Sequence, residues 1–218
     1  MTRPHSIAVA DHSSDPDVML RSRALRLEWG TNAWNAMEVF VTVGLGVAAG
    51  SLALVAFGLD SLVELFASMV VIWHLRGPGG DSDGSRTFRA LRLIAGAFWV
   101  LCAYLLVAGV RSLWLHEIPG HSPVGIAYLG ITACVMFALA HAKKRIARSL
   151  RSGPLDHEAS MTYLDSGLSI GILAALAASM GLGWWWADAV AAIAVAVLAG
   201  VQGAGSWRDS HPVSGPPR

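Results

Sequence analysis

Charge is scarce in this 218-residue chain: Asp, Glu, Lys and Arg make up 14% of it, against 54% hydrophobic residues. That balance excludes an ordinary water-soluble domain, in which about a quarter of residues are charged, and it makes lipid the expected solvent. Net charge is nearly absent too, at +1, so bulk electrostatics gives no reason to expect nucleic acid as a partner. Cysteine is limited to Cys102 and Cys134. Both fall in apolar runs without CxxC spacing or a neighbouring His, which leaves no disulfide framework or thiolate zinc site. No HExxH, no GxSxG and no other nucleophile-plus-base pair lies at membrane depth, so an enzyme is not expected. Met1 to Asp17 contain no apolar core, and a cleavable signal peptide is not expected there.

What the chain has in quantity is long apolar runs. A bilayer core about 30 Å thick needs about 20 mostly apolar residues per helix. Six stretches qualify, roughly Trp29–Ala49, Ser51–Leu75, Leu91–Trp114, Val124–Lys143, Ala159–Leu182 and Trp184–Val201. The expected fold class is therefore all-α, a polytopic membrane protein of six transmembrane helices, with residues 1–28 as a polar tail, 29–203 as the membrane domain and 204–218 as a second short tail. Ala48-Ala49-Gly50-Ser51 and Met180-Gly181-Leu182-Gly183 read as tight turns. Lys and Arg concentrate on one side: Arg21, Arg23 and Arg26 before the first span, Arg76, Arg86, Arg89 and Arg92 between the second and third, and Lys143, Lys144, Arg145, Arg148 and Arg151 between the fourth and fifth. By the positive-inside rule both termini face the cytoplasm, in a cell membrane. Trp184-Trp185-Trp186 reads as an interfacial anchor, and the Ala-rich sixth span as a close-packing face.

Five acids fall inside these spans, where a carboxylate is costly unless paired, protonated or facing a wet cavity. They are Glu38, Asp60, Glu64, Asp165 and Asp188. Asp60 and Glu64 are four residues apart, on one helical face. With no Lys or Arg inside the second span to neutralise them, a bound cation or a shared proton is the simplest way to hold both. Asp165 lies at similar depth in the fifth span, so one site between the two helices is geometrically open to all three. The bland alternative is a polar seam of protonated acids. Asn35 and Glu38, three residues apart on the first span, either guide ions or pair with another helix. Asp188 is expected to cap the sixth helix or sit at the wet interface.

The stretch from Gly50 to Glu64, a small-residue turn followed by an acid, three residues and a second acid, resembles the second transmembrane helix of the cation diffusion facilitator family. Asp165, followed later by Gly183-Trp184-Trp185-Trp186-Ala187-Asp188, resembles that family's fifth helix and the opening of its sixth. The resemblance implies six helices, a homodimer in the lipid bilayer, and export of zinc or a related divalent ion such as iron or manganese in exchange for protons, with no prosthetic group. It assigns metal ligation to Asp60, Glu64 and Asp165. Met161 stands where the family commonly has a further ligand, and a thioether there leaves an oxygen-rich set and weakens the case for zinc. Ser169 and Thr162 are neighbouring oxygen donors. His157 and Glu158, beside Asp156, flank the expected cytoplasmic approach. The chain as given runs only a little past the sixth span, so the resemblance is to short, membrane-domain-only relatives, and a dimer would rest on membrane contacts. A different class of reading is a non-transporting membrane protein that keeps the fold and modulates another complex.

Overall fold

The computed structural model describes residues 16–75, 84–150 and 153–210. They form six α-helices: α1 (Pro16–Ala49), α2 (Leu52–Leu75), α3 (Gly84–Leu115), α4 (Pro123–Leu150), α5 (Gly153–Leu182) and α6 (Ala187–Asp209). Expectations placed on residues 1–15 and 211–218, on Arg76 and Arg151, and on the side chains of Arg21, Arg86, His157 and Glu158 lie outside the described residues.

Five helices, α2 to α6, are long and apolar enough to cross a membrane; α1 falls short by composition. The reason lies in its inward face. Ala24, Thr31, Asn35, Glu38 and Thr42 recur at helical spacing and are all buried, so α1 turns a polar stripe to the interior and apolar residues such as Phe40 and Val47 outward. Large apolar side chains are likewise exposed along α3, α5 and α6, as expected where lipid is the solvent.

Most helices outrun the apolar spans read from the sequence. α1 begins at Pro16 instead of near Trp29, α3 at Gly84 instead of Leu91, and α6 continues to Asp209. α4 continues through Lys143, Lys144, Arg145 and Arg148 to Leu150, so these four bases, expected in the fourth loop, belong to a helix end. Hydropathy marks where a helix is in hydrocarbon, whereas Lys and Arg are good helix formers and let it continue into water.

The α1–α2 hairpin closes as expected at Gly50, whose φ of 62° is the left-handed conformation glycine tolerates. Ser51 N–H donates to the Gly46 carbonyl at 2.9 Å and Gly50 N–H to that of Val47 at 3.3 Å, the paired bonds of a Schellman stop. Helices pack mainly as α4 on α5, α3 on α6 and α1 on α2, while α2 and α5 scarcely touch. Alternating helix directions put the start of α1 and the end of α6 at one end of the bundle, which also carries Arg23, Arg26, Arg89, Arg92, Lys144, Arg145, Arg148 and Arg208. At the opposite end Trp184 stacks on Trp186 at 5.2 Å and Trp185 packs on His116 at 4.4 Å.

Candidate cation site

The gap between α2 and α5 is where the intramembrane acids meet. Asp60 leaves α2 on its buried face, only 3% exposed, and Glu64 follows one turn on, half-buried. Asp165 of α5 hydrogen-bonds Glu64 across the gap and lies within electrostatic reach of Asp60 and Glu38. A hydrogen bond between two carboxyl groups needs a proton between them.

α1 supplies the third wall. Asn35 Nδ2 donates to Glu64 Oε2 at 3.3 Å, and Ser61 Oγ, also 3.1 Å from the Phe57 carbonyl, lies 3.0 Å from Glu38 Oε2. Glu38 is 2% exposed, and Thr132 and Tyr128 of α4 face it, with Trp34 stacked on Tyr128 at 6.3 Å. Asn35 and Glu38 thus do pair with another helix, and in doing so they join the carboxylate layer. Within it three acceptors, Asn35 Oδ1, Glu38 Oε1 and Asp60 Oδ1, are buried without a hydrogen-bond partner among the described residues. Unsatisfied buried acceptors cost about 1–3 kcal/mol each. A cation or a bridging water is the natural way to satisfy them.

The layer is a cluster and not a closed coordination sphere. Among the described residues, no three His, Cys, Asp or Glu side chains are gathered closely enough to hold a metal ion. Met161 stands one turn before Asp165, half-buried. Ser169 is fully buried and spends its proton on the Ser166 carbonyl at 2.9 Å, while Ser166 donates to the Ala133 carbonyl at 3.0 Å. Asp156 pairs with Lys144 at 2.8 Å on the basic rim.

Two arrangements were not foreseen. Asp188 caps α2 and not its own helix: Oδ2 accepts from the N–H groups of Leu52 at 2.7 Å and Ala53 at 3.3 Å, and Oδ1 accepts from Ser51 Oγ at 2.6 Å. Ser51 Oγ in turn accepts from Leu54 N–H at 3.2 Å, so three amides of the first turn of α2 are satisfied. Lys143 is the second. Its Nζ is fully buried, 3.0 Å from Glu28 Oε2 and 3.3 Å from Thr162 Oγ1, so Thr162 serves a lysine. The signal for it was present, because Leu129, Met136, Ala140, Lys143 and Ala147 recur at helical spacing and are all buried.

Residues 90–212 match a family model described as the cation efflux transmembrane domain. That stretch is more than half of the chain; it takes in most of α3 and all of α4, α5 and α6, with Asp165 and Asp188, and it stops short of Asp60 and Glu64. No curated protein matches the chain.

Proposed function

The chain belongs to the cation efflux family, and from that premise we propose that it exports a divalent metal cation through the carboxylate layer, with Asp60 and Glu64 of α2 and Asp165 of α5 as the ligands. The coarse part of this needs no proposal: the protein is a multi-pass membrane protein of a metal-cation transport family, whose members are transporters and not enzymes. Asn35 and Glu38 act from α1 as pathway and supporting groups, Ser169 stands one turn beyond Asp165 on α5, and His157 and Glu158 flank the cytoplasmic approach. Met161 offers only a soft thioether, so the donor set is oxygen-rich and suits zinc, iron or manganese without selecting sharply among them.

The observation that carries the reading is the convergence of acids from three helices around Asp60 Oδ1 and Asn35 Oδ1, buried oxygens with no donor. A seam that only held helices together would be expected to satisfy most of them. The shared proton between Glu64 and Asp165 gives the exchange its chemistry. Loading requires Glu64 to release Asp165 and Asn35, and the metal displaces the proton because both need the same oxygens. Return of a proton from outside expels the metal, which is antiport without a separate proton site. The basic end faces the cytoplasm in this reading, the cell membrane is the location, and a second copy of the chain completes a homodimer.

Metal uptake into proteoliposomes tests it. Asp60→Asn and Asp165→Asn should fall to background flux while remaining folded, and both should lose the thermal stabilisation that zinc, manganese, iron, cobalt or nickel gives the unaltered chain. Absence of flux for every metal with the unaltered chain rules transport out and leaves the non-transporting reading.

A further inference from the structure

Lys143 is a charged side chain with no access to water, at a place where a cation transporter has little reason to keep a fixed positive charge. Its ammonium binds Glu28 of α1 and Thr162 of α5 from its own position on α4, and so ties three helices at one point. Thr162 precedes Asp165 by three residues, about 4.5 Å along α5. Glu28 precedes Asn35 by seven, about two turns along α1. Both lie on the basic-end side of the carboxylate layer. A helical side chain leans toward the amino terminus of its helix, and for α4 that direction runs from the basic end back toward the layer. The ammonium therefore lies between the basic end and the layer, at the meeting point of α1, α4 and α5.

A join between three helices is cheaper to build from Leu or Ala than from an ion pair, since removing charges from water costs several kcal/mol per ion. Contrast the neighbouring pair: Lys144 reaches Asp156 at 2.8 Å and Ser160 at 3.2 Å at the partly exposed rim, where a salt bridge contributes little. A pair whose ammonium is buried and whose carboxylate is partly exposed can act as a two-state element, shut when made and open when parted.

We propose that Lys143, held by Glu28 and Thr162, is a tethered cation that locks the basic-end approach to the carboxylate layer. The inference rests on the reading of that layer as the transport site. Opening follows the loss of the Glu28 contact and the parting of α1, α4 and α5 at this point. Lys143 is a gating residue in this scheme and never a ligand of the cargo.

The test uses the full chain in lipid nanodiscs and proteoliposomes, with zinc and manganese as the metal probes. The double variant Glu28→Gln with Lys143→Met removes both charges, and Thr162→Ala releases α5 alone if the double variant fails to fold. Expected are a several-fold rise in amide hydrogen exchange over residues 24–31, 140–147 and 156–162, loss of the metal-dependent change in exchange there, and an altered initial rate of uptake. Arg148→Gln, an exposed position on α4, should change none of these. Uptake at the unaltered rate in a folded lock variant overturns the proposal, whatever the exchange shows. Wild-type uptake by Asp165→Asn overturns the site reading and the lock with it, whereas flux lost in Asp165→Asn and unchanged in the lock variants overturns the lock alone.

Discussion

Asp188 and Asp60 are both buried aspartates, and the donors around them separate their roles. Asp188 receives three hydrogen bonds at the start of α2; Asp60 keeps an oxygen with none. Hydrogen bonds to a charged group contribute about 1.5–3 kcal/mol each. Asp188→Ala should therefore lower the unfolding free energy by about 4 kcal/mol or more, read as a drop in the thermal midpoint, with cation affinity retained by the protein that stays folded. Asp60→Asn should do the reverse, losing affinity and leaving the midpoint of the metal-free protein close to its original value. Cation affinity itself should weaken as pH falls, because binding displaces protons from the same carboxylates. Titrations at pH 8 and pH 6 should differ by about tenfold per pH unit for each proton displaced, and an affinity independent of pH would remove the basis for proton exchange. At this scale Asp60, Glu64 and Asp165 were legible because an acid in an apolar run stands out. The partner of Asp188 was not, since a cap reaching from α6 to α2 joins residues more than 130 positions apart and leaves no trace in local spacing.

Among the elements, α1 and α2 hold the layer together by direct backbone approach. A Cβ at Gly58, two residues before Asp60, would meet Thr42 Oγ1 and stand 2.6 Å from Val43 Cγ2, so the pair packs at its present distance only with glycine there. Gly58→Val should push α1 away, cost about 1–3 kcal/mol, and weaken cation-induced stabilisation by more than the folding loss accounts for, since Asn35 and Glu38 move with α1. Thermal midpoints with and without metal would check this; an unchanged metal shift would mean that α1 is not part of the site. The two hairpin turns were readable from their glycines, and the existence of each helix from apolar run length. The helix ends at the basic side were not, because Lys and Arg signal water and helix equally well. The polar lining of α1 was visible only as Asn35 and Glu38; its full extent emerges once the burial of Thr31 and Thr42 is known.

For the whole molecule, the gathering of Lys and Arg at one end gives orientation a direct test. In intact cells, on a background with Cys102 and Cys134 replaced, a membrane-impermeant maleimide should label Ile118→Cys in the α3–α4 connection and spare Arg148→Cys. Labelling of the latter alone would invert the orientation and the direction of transport. The six-helix, all-α architecture was largely legible because the bilayer imposes one length on every span. The acids of the candidate site were legible, whereas the burial of Lys143 was passed over, since it sat in a basic run whose ordinary explanation is a wet loop. The polar stripe of α1 also bears on how the protein is made. A helix that turns Thr31, Asn35, Glu38 and Thr42 to one side and lacks a sufficiently apolar window is a poor candidate for partitioning into lipid by itself. Its partner α2 follows across the Gly50-Ser51 turn, so the two helices are expected to insert as one hairpin, each covering the other's polar face.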